Sequence, residues 1–91
     1  MSIMRLRLNA TRPRTLADLA PGEEGVLEGI ELPGPDARRL MELGFVPGMR
    51  VRAAGAAPGG DPRVFRVDGS EIALRRETAR HLVLKREGDA G

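Results

Sequence analysis

Apolar and polar positions alternate at two different periods along this chain, and the sharpest change of period lies between Pro35 and Gly48. At roughly 100° per residue, Ala37, Leu40, Met41 and Leu43 share one arc, and Arg38, Arg39 and Glu42 lie opposite. The spacing predicts a short helix over Asp36–Leu43. Asp36 is the expected N-cap, since a carboxylate can accept bonds from the free amides of a first turn. Gly44 is expected at the left-handed position just past the helix, with Phe45 folding back on Leu40 in a Schellman ending. Pro47-Gly48 suits the central positions of a type II turn. Met49 to Ala53 then alternates with period two, which predicts a half-buried strand.

The remaining elements read as short strands separated by turn signals. Thr15 and Asp18 are spaced like a capping box around a single helical turn, with Leu16 and Leu19 pointing inward. Pro21-Gly22 is a turn. Val26 to Leu32 reads as the first strand, with Val26, Ile30 and Leu32 on the inner parity and Leu27 on the other, and with Gly25 and Gly29 permitting sharp bending. Leu19-Ala20-Pro21-Gly22 echoes Phe45-Val46-Pro47-Gly48 and suggests two similar entries into strands. Gly55 to Pro62 is a loop by composition. Asp68-Gly69 between two alternating runs predicts a hairpin with a type I′ turn. That turn sets Arg66 opposite Glu71 and Phe65 opposite Ile72. A helical turn over Arg75–Arg80 and a last strand over His81–Lys85 follow.

Five short strands, a short helix between the first two and a helical turn before the last predict a mainly β fold closed into a small barrel. The expected core is Leu16, Leu19, Val26, Ile30, Leu40, Leu43, Phe45, Val51, Phe65, Val67, Ile72, Leu74, Leu82 and Leu84. Residues 1–13 read as a basic arm, 14–86 as the barrel domain and 87–91 as a flexible tail. The arm alternates Arg5 and Arg7 with Met4, Leu6 and Leu8, so a frayed arm and an added edge strand both remain open.

Composition removes several classes of function. There is no cysteine and only one histidine, His81, so thiolate metal sites and disulfides are excluded. No tight metal site is expected, and a weak one near His81 is the remaining candidate. No catalytic constellation, phosphate loop or calcium loop is present, and no enzyme activity or cofactor is expected. Net charge is +2, and Phe45 and Phe65, both wanted in the core, are the two aromatic residues. That leaves no stacking platform for single-stranded nucleic acid, although the arginines keep a nucleic-acid-binding barrel as an alternative. No apolar run reaches the length of a membrane span, so no insertion is expected and a cytoplasmic location is the simplest reading.

Four stretches in order carry a family resemblance: Thr15–Gly22, Arg39–Gly48, Asp61–Gly69 and Ile72–Ala79. The run Arg39-Leu40-Met41-Glu42-Leu43-Gly44-Phe45-Val46-Pro47-Gly48 resembles the signature of the FeoA family. The resemblance implies an SH3-like barrel that supports Fe²⁺ uptake by binding a FeoB-like membrane transporter, at its cytoplasmic G domain or adjoining region. Similar domains occur in metal-dependent repressors, which gives a metal-regulator module as a second alternative. Arg38, Arg39, Leu43 and Val46 are the candidate partner contacts, because an apolar centre rimmed by arginine is a common interface composition. Asp36, Gly44, Pro47, Gly48, Asp68 and Gly69 are read as caps and turns. Weak self-association remains open.

Overall fold

A computed structural model describes residues 14–86. The expectations for the arm at 1–13 and the tail at 87–91 fall outside the described residues. A 3-10 turn at Leu16–Asp18 leads into strand β1 (Glu24–Ile30), helix α1 (Gly34–Glu42), β2 (Arg50–Ala56), a 3-10 turn at Pro58–Gly60, β3 (Arg63–Val67), β4 (Ser70–Leu74), helix α2 (Arg76–Ala79) and β5 (Leu82–Leu84). All strands are antiparallel, in the order β4-β3-β2-β1-β5. The sheet is strongly curved around one core but does not close, because β4 and β5 are not paired. α2 bridges that gap, with the wholly buried Ala79 at its end. The expected closed barrel is thus an open one of the same class.

Local chemistry fixes the turns. Asp68 and Gly69 both have positive φ, 51° and 81°, as a type I′ turn requires. Behind them Arg66 faces Glu71 and Phe65 faces Ile72, the expected register. Arg66 and Glu71 form an ion pair with both side chains about half exposed, which contributes little to stability. The two Pro-Gly turns are built alike. Glu23 N–H donates to Ala20 O and Met49 N–H to Val46 O, each at 2.9 Å, with Gly22 and Gly48 at φ 93° and 96°. Each turn also docks on the other's strand. Gly22 N–H donates to Ala53 O and Ala53 N–H to Glu23 O; Gly48 N–H donates to Leu27 O and Leu27 N–H to Met49 O. The same spacing separates Gly22 from Gly48, Glu23 from Met49 and Leu27 from Ala53. The echo in the sequence is therefore a local pseudo-twofold about the Gly25–Val51 pair of the β1–β2 ladder.

Three sequence expectations need correction. On β1 the buried residue is Leu27, fully inaccessible, while Val26 and Ile30 are only half-buried. The parity differs because the β1–β5 register shifts between Leu27 and Gly29, leaving Glu28 as the extra residue of a bulge. Gly25 shares the inner parity of Leu27. A Cβ there would stand 2.9 Å from Leu84 Cδ1, so this glycine makes room for the β5 side chain. Second, α1 begins earlier than expected. Pro33 is its N-cap and Pro35 lies inside its first turn, so Asp36 is a first-turn acid rather than the cap. Proline fits there because the first amides have no intrahelical acceptor. Asp36 still complements the helix dipole. Third, Leu43 is 46% exposed and lies outside the core.

The core otherwise gathers both phenylalanines with Leu16, Leu19, Leu40, Val51, Val67, Leu74, Leu82 and Leu84, and adds Leu27, Ala53 and Ala79. Arg63 ties the N-terminal turn to β3. Its Nη1 donates to Ala17 O at 3.0 Å and Leu19 O at 2.7 Å. These carbonyls end the first 3-10 turn, and charge-assisted bonds to them from a half-buried side chain are worth more than ordinary ones. Arg63→Ala is expected to cost about 2–3 kcal/mol, read as a lowered denaturation midpoint. Arg63→Lys should recover only part of this, since the ammonium is more strongly hydrated and its shorter stem does not carry a donor to the position of Nη1. A wild-type midpoint in Arg63→Ala would contradict the role.

Candidate functional site

The helix α1 and the turn after it are largely exposed. Leu40 is the one α1 side chain that is buried, and Ala37 is half-buried. The helix ends in a complete Schellman motif. Phe45 N–H donates to Leu40 O at 3.1 Å and Gly44 N–H to Met41 O at 3.0 Å, with Gly44 at φ 116°. This reversal sends Phe45 into the core with no exposure and leaves the next residue, Val46, outside. The Pro47-Gly48 turn then starts β2.

That path leaves Met41, Leu43 and Val46 exposed at 41%, 46% and 41%, and these are the exposed large apolar side chains among the described residues. A lone exposed apolar residue needs no explanation, but three within six positions of one motif mark the segment as a candidate contact surface. Its helical angle puts Met41 on the apolar arc, yet it is exposed. It is outside because the helix seats on the sheet by the narrow line of Leu40 and Ala37, so the flanking positions on both sides stay in solvent. Its exposure could have been suspected from the shortness of the helix.

Arg38 and Arg39 are exposed on the same helix, and neither is ion-paired within the described residues. With Gly34, Pro35 and Glu42 they line a shallow groove along the helix. Arg39 lies one turn before Leu43, and Arg38 one turn before Glu42. The structure thus places Arg38, Arg39, Leu43 and Val46 on one contiguous segment. The helix has no buried titratable group and offers an apolar centre beside guanidinium groups. It can hold another protein surface; nothing in it can activate a nucleophile.

Elsewhere the chemistry is sparse. His81 is half-buried, and its carbonyl accepts from Glu31 N–H at 2.7 Å. No group of three or more His, Cys, Asp or Glu side chains with metal-binding arrangement occurs among the described residues. Glu23 has its carboxyl held below the usual range, first by the Ala20 N–H and then by Arg14. Both interactions belong to the Pro21-Gly22 turn. No helix among the described residues is long and apolar enough to cross a membrane.

Residues 14–86 match the family model described as FeoA domain. The chain belongs to the FeoA family. The FeoA protein of Stenotrophomonas maltophilia, solved with zinc and described as an SH3 domain protein, is 39% identical. That match covers 78% of this chain and 88% of the other, with a TM-score of 0.69. Iron(II) transport protein A of Clostridium thermocellum is 31% identical with a TM-score of 0.74, covering 81% of this chain and 46% of that one. A fusion protein of Porphyromonas gingivalis, named Fe(2+) transport protein A/Fe(2+) transporter FeoB, is 34% identical over 64 residues. The match takes in 70% of this chain but only 8% of the fusion protein. A manganese-dependent transcriptional repressor at 18% identity, TM-score 0.68, shares the fold. The chain is thus an FeoA domain of SH3-like fold, linked to ferrous iron transport.

Proposed function

We propose that this FeoA domain acts in the cytoplasm as an accessory of a ferrous-iron uptake system, by docking on a FeoB-like transporter through α1 and the Val46-Pro47 turn. The observation that carries the reading is the exposure of Met41, Leu43 and Val46 along α1 and its turn, together with two arginines that have no ion partner among the described residues. The joining of the two protein types in one Porphyromonas gingivalis chain supports the choice of partner, since fusion keeps interacting domains together. An apolar centre supplies desolvation energy and the arginine rim supplies orientation and encounter rate. The domain needs no chemistry of its own for this role.

The variant Arg38→Ala/Arg39→Ala tests the reading. Binding to the cytoplasmic domain of the FeoB-like partner, titrated by calorimetry, is expected to weaken roughly tenfold or more, with about 1 kcal/mol or more lost per interface arginine. The loss should shrink at high salt. Fe²⁺ uptake should fall in cells carrying the variant, while the circular dichroism spectrum stays that of the wild type. Undiminished binding and uptake would move the interface elsewhere, with the Gly55–Pro62 loop as the next candidate. A gel shift with duplex DNA at physiological salt addresses the nucleic-acid alternative, and no retardation is expected.

A further inference from the structure

Among the described residues, one sheet edge has no partner. β5 is paired on one side with β1 and on the other with Thr15, and Leu84 N–H donates to Arg14 O at 2.8 Å. β4 pairs only with β3, so among the described residues it is the open edge. Its polar groups can be assigned from the hairpin. A two-residue turn makes Val67 and Ser70 a hydrogen-bonded pair, so Phe65–Ile72 and Arg63–Leu74 are also bonded pairs. The amides and carbonyls of Glu71 and Ala73 therefore point away from β3. Arg75 continues in extended conformation, φ −68° and ψ 150°, with the same parity. An unblocked edge is a template for a further strand.

We propose that β4 pairs with β4 of a second copy of this chain, antiparallel about Ala73, to give a twofold dimer with a continuous sheet. Two features of the edge select this occupant. First, the register is charge-complementary with itself. With Ala73 opposite Ala73 of the partner copy, Glu71 of each chain falls opposite Arg75 of the other, and Ile72 opposite Leu74. The two apolar pairs lie on the core-facing side, where half-buried Ile72 has area left to cover. The charge pairs lie on the outer side with small Ala73 between them. A shift of the register by two residues would lose the double Glu–Arg match. Second, an isologous contact uses up the open edge of both chains, so pairing stops at two. Both bonds of the Ala73 pair can form, as can Arg75 N–H to the Glu71 carbonyl. The Arg75 carbonyl is occupied, accepting from Thr78 and Ala79 N–H, each at 2.9 Å. The strand is short, so the dimer is a weak one in exchange with monomer. This contact is separate from the α1 patch and stands or falls without it.

Sedimentation equilibrium of the full chain across a range of concentration measures the contact. Wild type is expected to show a monomer–dimer equilibrium. Glu71→Arg should raise the dissociation constant roughly tenfold, because symmetry applies each like-charge pair twice. Glu71→Arg/Arg75→Glu should restore it, since the reversed pairs match again. Ala73→Pro removes an N–H that no strand among the described residues uses, so the monomer should remain folded by circular dichroism while the dimer is lost. A wild-type chain that stays monomeric at millimolar concentration would overturn the proposal. So would a double variant that stays as weak as Glu71→Arg, or an Ala73→Pro chain that remains folded and dimerises like wild type.

Discussion

Phe45→Ala is expected to lose about 3–5 kcal/mol of folding stability, the usual range for removing a fully buried phenylalanine. Phe45 has no exposed surface and is one of two aromatic side chains in the chain. Its backbone is also the last link of the Schellman motif, through the 3.1 Å bond to Leu40 O. The side chain thus fixes the C-terminal end of α1 to the core, next to the seat of Leu40. A domain this small has total stability toward the low end of about 5–15 kcal/mol, so the variant should be largely unfolded at 37 °C. Phe45→Leu fills most of the volume and should be clearly milder. The chain has no tryptophan or tyrosine, so far-ultraviolet circular dichroism in guanidinium chloride is the readout. The midpoint should fall with little change of slope. A Phe45→Ala midpoint equal to wild type would show that the anchor lies elsewhere.

The next largest effect is expected at the helix stop. Gly44 has φ 116°, a region that residues with a Cβ rarely adopt. Gly44→Val should cost about 1–2 kcal/mol from the backbone alone. Its Cβ would stand 3.5 Å from Val67 Cγ1, an ordinary contact, but the two γ-methyl groups would then press on Val67. Gly44→Ala carries the backbone cost without the crowding and should lie between valine and wild type. Gly29→Ala is the control, because no atom lies within 4 Å of its added Cβ and its φ is not positive. For a domain of this length each kcal/mol is about 4–8 °C in melting temperature. An unchanged melting temperature in Gly44→Val would mean that the reversal does not depend on this glycine.

What could be read from the sequence was mostly what is decided locally. Asp68-Gly69, both Pro-Gly turns and the Gly44-Phe45 ending depend on the φ preferences of a few adjacent residues, and all formed as their chemistry dictates. The strands and the small-barrel class followed from those punctuation marks, and the SH3-like type from the family resemblance. Features decided by distant neighbours were harder. Leu27 lost the vote of parity to Val26, Ile30 and Leu32 because a bulge at Glu28 cannot be seen in an alternating pattern. Gly25 looked like a bend, whereas the side chain of Leu84 sets its identity. Ala53 and Ala79 are core residues too small to stand out in a hydropathy pattern. Nothing in the sequence pattern marks Arg63, because the carbonyls it binds, at Ala17 and Leu19, lie more than forty residues away along the chain. The sheet's failure to close depends on the placement of α2 and on Thr15 covering β5.

The candidate site was legible to the same extent. Arg38, Arg39, Leu43 and Val46 could be chosen because the helix and turn predict them side by side. That Leu43 faces solvent, and that Met41 joins it, required knowing how narrow the seat of α1 on the sheet is.

The central claim is that this face of α1 and its turn meets the transporter. Chemical-shift mapping tests it most directly, with the nitrogen-15-labelled chain titrated by the cytoplasmic domain of the FeoB-like protein. The account predicts that the perturbed amides cluster from Arg38 to Val46, including Met41, with β4 and the Gly55–Pro62 loop unaffected. Perturbations confined to that loop or to β4, or none at saturating partner, would contradict it.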